Sequence, residues 1–164
     1  ILCPEIAAFG FNKSAESTVF AFASAIERDA VARSVFLGHT PDVDLHIDIM
    51  SWAPPALRSR IKNFSGYALR RAVFDQPHHL DLGRDSLRPF VFGDCHIAGP
   101  SCVDFSPMGA GRREHGPTMA CLHLWARDLC ESTPSLVAIE SVPRFPVALL
   151  ESFLAISTTL SVFR

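Results

Sequence analysis

The stretch from Gly93 to Phe145 limits what this chain can fold into more than any other. It reads GDCHIAGPSCVDFSPMG, then a basic turn, a helix-length segment and PSLVAIESVPRFP. The apolar runs Phe90–Ala98 and Ser135–Ile139 suit short strands buried on both faces. Two such strands joined by one loop and one helix suit neighbouring positions in a parallel sheet. Cys102 then follows the first strand and Glu140 closes the second. Both fall at the carboxyl edge, where open α/β sheets place their active sites.

The upstream segments repeat the alternation of strand and helix. Residues 3–11, CPEIAAFGF, suit a short first strand running into Gly10. Val19–Ile26, VFAFASAI, is a continuous apolar run that ends at Glu27-Arg28-Asp29, and Asp29–Leu37 then carries apolar residues at helical intervals. Val43–Ile49, VDLHIDI, alternates as a third strand with Asp48 near its end. The pattern is that of an α/β crossover fold with a mostly parallel central sheet and flanking helices. At 164 residues, 48% of them hydrophobic and 20% charged, the chain suits one packed domain, residues 1–164, and not disorder.

From Ile49 to Phe74 there is no acidic residue, while Arg58, Arg60, Lys62, Arg70 and Arg71 accumulate. The favoured reading is a solvated basic helix with Leu57, Ile61, Phe64 and Leu69 inward; a phosphate-facing patch is the alternative. A net charge of -2 announces no nucleic-acid partner, so any basic surface is local. His78 and His79 suit an exposed turn beside Pro77. Phe105–Gly116, with three glycines and Arg112-Arg113, reads as an exposed, mobile loop. Pro117 and Thr118 start a helix on which Leu122, Trp125, Ala126 and Leu129 form one apolar face, and a last helix runs from about Val147 to Ala155.

Five cysteines without disulfide-framework spacing indicate a reducing, intracellular compartment, and no apolar run is long enough to span a membrane. Glu27, at the end of the second strand, suits ribose hydroxyls or, equally, a helix N-terminus. Asp48 suits an adenine amino group or a plain strand-end turn. Cys102 sits in a Gly-Pro-Ser-Cys turn, where a thiol pKa can fall, although most lone cysteines are buried apolar residues. A carboxylate closing an apolar strand, as Glu140 does, is costly to bury without a partner. Thiol and carboxyl on neighbouring strand ends could attack and polarise a ring.

In this order, AIERD, HIDI, GPSCVDFS, the basic glycine loop, GPT...LW and PSLVAIESVPRFP resemble the central part of a cytosine-5 DNA methyltransferase. The resemblance covers roughly residues 19 to 150 and is specific mainly between 94 and 146. It implies a Rossmann-like methyltransferase fold, truncated on its C-terminal side and without a target-recognition domain. It implies Cys102 as nucleophile, Glu140 as base clamp, and Glu27, Asp48, Ile49 and Pro100 around S-adenosylmethionine. Ser106, Arg112 and Arg113 would contact DNA, with RNA as an alternative substrate. The compartment would be the nucleus of a eukaryote or the cytoplasm of a bacterium. Three departures stand out: Ser101 where the family has proline, Ser141 where it has asparagine, and AAFGFNKS where it has a Phe-x-Gly-x-Gly loop. These favour, as a second class, a binding or scaffold domain that has kept the fold. A zinc module on Cys95, His96, Cys121 and His123 is disfavoured by its spacing.

Overall fold

A computed structural model describes residues 9–13, 20–22, 24–61, 63–74, 95–101, 103–109, 111–154 and 160–163, with the backbone alone in the strands at 9–13, 20–22 and 160–163. Cys102 and the His78-His79 turn lie outside the described residues, as does the start of the strand expected from Phe90. The protein is mixed α/β. Its strands are β1 (Phe9–Lys13), β2 (Phe20–Phe22), β3 (Ser24–Ile26), β4 (Asp44–His46), β5 (Cys95–Ala98), β6 (Leu136–Glu140) and β7 (Leu160–Phe163). Its helices are α1 (Ala30–His39), α2 (Pro55–Ile61), α3 (Gly66–Phe74), α4 (Met119–Ser132) and α5 (Val147–Leu154).

One sheet has the order β2-β1-β5-β6-β7, and β3 pairs with β4 in a second. β5, β6 and β7 run parallel, as do β3 and β4, whereas β1 is antiparallel to both β2 and β5. Each parallel step is crossed by a helix: α1 between β3 and β4, α4 between β5 and β6, α5 between β6 and β7. A parallel connection needs such a crossover because both strands must start from the same end.

The expected VFAFASAI strand divides. Its Phe20–Phe22 part pairs with β1, and Ser24–Ile26 pairs with β4. An unbroken apolar run has no face preference, so neither its register nor its partner is fixed by pattern. The basic region is two helices, not one. Pro55 opens α2, where its missing N–H costs nothing, and Gly66, at φ 52°, turns the chain into α3. Leu57, Ile61 and Leu69 are buried as expected, and Phe64 is half-buried.

Helix α1 is held at its start by Asp29, whose carboxylate accepts from the N–H groups of Val31 and Ala32. None of its residues is buried. Helix α4 is the opposite. Residues 122–129 are all buried, far beyond the single apolar face of the sequence pattern, because α3, α5 and the 3₁₀ turn Ile49–Trp52 all pack on it. Trp125, Leu124 and Met119 are fully enclosed, with Trp52, Ile139 and Leu150 around them. Burying each tryptophan is worth roughly 4–6 kcal/mol at most, from about 150–250 Å² per aromatic side chain at ~25 cal/mol/Å². Arg127 survives burial by donating from Nη1 to the Val73 carbonyl at 2.6 Å and from Nε to Glu131 at 2.7 Å. Thr133, at φ 47°, closes the helix in a left-handed turn before Pro134.

Candidate active site

The parallel register Ala98↔Ile139 puts Gly99, just past the end of β5, next to Glu140, the last residue of β6. A Cβ built on Gly99 would stand 3.7 Å from Glu140 Oε2, so the turn before Cys102 passes directly beside this carboxylate. Glu140 is exposed, Pro100 and Ser101 are buried, and the Ser141 hydroxyl is buried with no hydrogen-bond partner among the described residues.

The following loop was expected to be exposed and mobile, but its base is fastened. Asp104, 1% exposed, accepts through Oδ2 from the Thr118 N–H at 3.2 Å and the Thr118 hydroxyl at 2.6 Å. Its carbonyl accepts from the Arg113 N–H. Phe105 is buried edge-on against Phe145, which ties the loop to the segment after β6. Two glycines allow the close approach. A Cβ on Gly109 would fall 1.9 Å from the Val103 carbonyl oxygen, and one on Gly116 1.9 Å from Asp104 Cγ. Between these anchors the loop is exposed as expected, at residues 107–109 and 111–115, with Met108 97% accessible.

Two clefts flank this loop. The first, about 690 Å³, is lined by Ser106, Arg113, Glu114, Arg144 and Pro146, with Asp104 at its buried side. The Ser106 hydroxyl accepts from the Met108 N–H at 3.2 Å, which sets its direction. The second, about 790 Å³, lies between the Asp48 turn and the start of α4, and Arg28, Asp48, Met50, Arg58, Arg112 and His115 help to line it. The adjacent arginines Arg112 and Arg113 therefore serve different clefts. Arg113 adopts φ 50°, a left-handed conformation costly for a side-chain-bearing residue, and this turn accounts for the divergence.

The acidic residues expected near a cofactor are partly drawn into local bonds. Glu27, 7% exposed, accepts from the Asp29 N–H at 2.8 Å, beside the positive end of α1. Among the described residues it does not line the second cleft, whereas its neighbour Arg28 does. Asp48 lines that cleft and caps the following 3₁₀ turn through the Met50 N–H at 2.8 Å. Ile49 is 3% exposed and belongs to the core; Ile47 and Met50 face the cleft instead. Strand β4 stops at His46, and the 3₁₀ turn that follows breaks the alternation. Arg58, one of the basic residues for which a phosphate-facing patch was the alternative reading, lines the second cleft, whereas Arg28, Arg144 and His115 were not singled out in sequence. Of those three, Arg144, in the VPRF segment close to Glu140, carried the best signal.

Of the described cysteines, Cys95, Cys121 and Cys130 are free thiols. Burial pushes the Cys95 and Cys130 thiols up, with Glu131 adding to the second, so neither is a good nucleophile near neutral pH. Burial also lowers His123, which hydrogen-bonds the Met119 carbonyl away from both clefts. Among the described residues no group of three or more His, Cys, Asp or Glu could hold a metal ion, and no helix is long and apolar enough to cross a membrane. Comparison with protein-family models, curated proteins and solved structures finds no match to this chain.

Proposed function

We propose that this chain is the catalytic part of a cytosine-5 DNA methyltransferase with a Rossmann-like fold. The observation that carries the reading is the parallel β5–β6 pair, whose carboxyl edge joins the turn before Cys102 to the Glu140 carboxylate. The Cys102 thiolate adds to C6 of a cytosine, forming a C–S bond and moving the ring electrons to C5. Glu140 holds N3 and the exocyclic amine and stabilises the charge that develops. C5, made nucleophilic in this way, would accept the electrophilic methyl group of the bound donor, whose sulfonium would leave as a neutral thioether; transfer of the C5 proton to water would then restore the C5–C6 double bond and expel the Cys102 thiolate. A duplex base has to leave the stack to reach this edge. Ser106, Arg113 and Arg144 around the first cleft are suited to the backbone and base that enter.

S-adenosylmethionine supplies an electrophilic methyl group when bound. The chain's fit to it is best on the adenosine side. Asp48 lines the second cleft and accepts from an adenine amino group; Glu27, Ile49 and Pro100, which the resemblance also puts around the donor, do not line that cleft among the described residues. With DNA carrying 5-fluorocytosine and added S-adenosylmethionine, the chain should form a covalent adduct, since fluorine at C5 cannot leave as a proton does. An equal yield of adduct from Cys102→Ser would refute the assignment. Tritium release from C5-labelled cytosine in DNA and in tRNA separates the DNA from the RNA substrate.

One observation favours a second reading, a binding or scaffold domain without turnover. Gly10, in the segment that stands where the family has its glycine loop, lies within the antiparallel strand β1. Calorimetry with S-adenosylmethionine distinguishes the two, because the scaffold reading expects no heat of binding.

A further inference from the structure

We propose that the cleft beside Asp48 binds a phosphorylated adenine nucleotide, which competes there with the methyl donor. The adenine half of this inference rests on the role proposed above for Asp48. The phosphate half rests on the charges around the cleft. Three guanidinium groups, from Arg28, Arg58 and Arg112, and the His115 imidazole share its lining with one carboxylate, Asp48. Arg58 is fixed in place by Nη2, which donates to the carbonyls of Ser51 at 2.8 Å and Ala53 at 3.2 Å. Its Nε is buried with no hydrogen-bond partner among the described residues. A buried guanidinium N–H left unsatisfied is costly, and the Arg58 side chain keeps its positive charge at the cleft wall.

The opposite wall has the same sign. Arg112 and His115 are exposed there, and His115 Nδ1 lies 3.5 Å from the Ser65 hydroxyl. The first turn of the 14-residue helix α4 reaches the cleft at Ala120 and Cys121, and its N-cap, Thr118, makes no side-chain capping bond. The Asp104 carboxylate already accepts from the Thr118 N–H and hydroxyl at this helix start, so the positive field of the cleft comes from its guanidinium groups.

S-adenosylmethionine is a poor match to this field. It carries a sulfonium and an ammonium against one carboxylate, a net positive charge. A nucleotide phosphate brings a charge of about -1.5 to -2 near neutral pH, and a cleft of about 790 Å³ has the size of a small-ligand site. Asp48 argues for a discrete nucleotide over a continuing nucleic-acid strand. At one end of the cleft its carboxylate would repel a further phosphate, but it can accept from an adenine amino group.

Titration calorimetry on the whole chain at low salt, with adenosine and adenosine 5′-diphosphate as probes, tests the inference. The diphosphate should bind about tenfold or more tightly than adenosine, lose that advantage as salt rises, and displace S-adenosylmethionine. Arg112→Gln, at an exposed position, should weaken the diphosphate about tenfold and leave adenosine unchanged. Arg58→Gln should do the same if it folds. Equal affinity for the two probes, or a diphosphate affinity that ignores Arg112→Gln, overturns the inference. So does complete displacement of the diphosphate by a short oligonucleotide lacking adenine. Nucleotide binding without any methyl transfer would defeat the proposed function alone, and methyl transfer with no preference for the diphosphate would defeat this inference alone.

Discussion

His96 on β5 and Asp128 on α4 are both fully buried, with Nδ1 and Oδ2 3.8 Å apart. That distance is beyond hydrogen-bond reach. Among the described residues neither imidazole nitrogen and neither carboxylate oxygen has a hydrogen-bond partner. Desolvation lowers His96 from 6.5 to about 4. Desolvation, with a smaller contribution from Glu131, raises Asp128 from 3.8 to about 8. At neutral pH the pair is thus a neutral imidazole beside a protonated carboxyl, and not an ion pair.

The consequences for stability have opposite signs. Asp128 holds its proton more tightly folded than unfolded, so its contribution is complete below 3.8 and is lost as pH rises towards about 8. His96 holds its proton less tightly folded, so its contribution is complete above 6.5 and is lost as pH falls towards about 4. Between these limits the two slopes oppose each other, and from 6.5 to about 8 only that of Asp128 remains. At about 1.36 kcal/mol per pH unit, stability should fall by about 2 kcal/mol across that window. Asp128→Asn keeps a neutral group of similar size and removes the proton. Its stability should be flat over the same window, so its advantage over the parent grows by about 2 kcal/mol. Urea unfolding of both proteins across this range, with unchanged m-values, measures the effect. A variant less stable by about 3–5 kcal/mol at every pH would mean that a buried ion pair had been broken, and the reasoning would fail.

The other predictions concern the backbone. Gly116→Ala forces a Cβ into the Asp104 carboxyl and should cost about 2–4 kcal/mol by urea unfolding, because the Asp104–Thr118 bonds must open. Gly38→Ala is the contrasting case: nothing lies within 4 Å of the new Cβ, which sits in α1, and stability should rise by about 0.5–1 kcal/mol. Asp29→Ala removes both capping bonds of α1 and should cost about 1 kcal/mol. Because α1 buries no residue, amide exchange over residues 31–39 should speed up before any other part of the protein responds.

The β5–α4–β6 unit was readable because punctuation brackets it: Gly99-Pro100 ends one strand, Pro117 opens the helix and Pro134 resets the chain. β6 and α5 fall within a residue of their expected limits for the same reason. VFAFASAI carried no such marks, and its division between two sheets follows from pairing partners far along the chain. The enclosure of α4 was also hidden, since Arg127 and Asp128 are polar by composition and buried by packing.

Side-chain direction was least accessible, and at this site direction determines what each charge can meet. Arg112 and Arg113 count alike in any tally of basic residues, but the left-handed turn at Arg113 sends them to separate clefts. Glu27 and Asp48 close neighbouring parallel strands, yet only Asp48 reaches the second cleft, because Glu27 turns back to the start of its own helix. The balance in that cleft thus shifts from two acids to one acid among three arginines. That shift comes from local hydrogen bonds and one backbone angle, which the order of residue types along the chain does not encode. The carboxyl edge of β5 and β6 was foreseeable from topology, whereas the ligand charge its neighbouring cleft prefers had to be read from the fold.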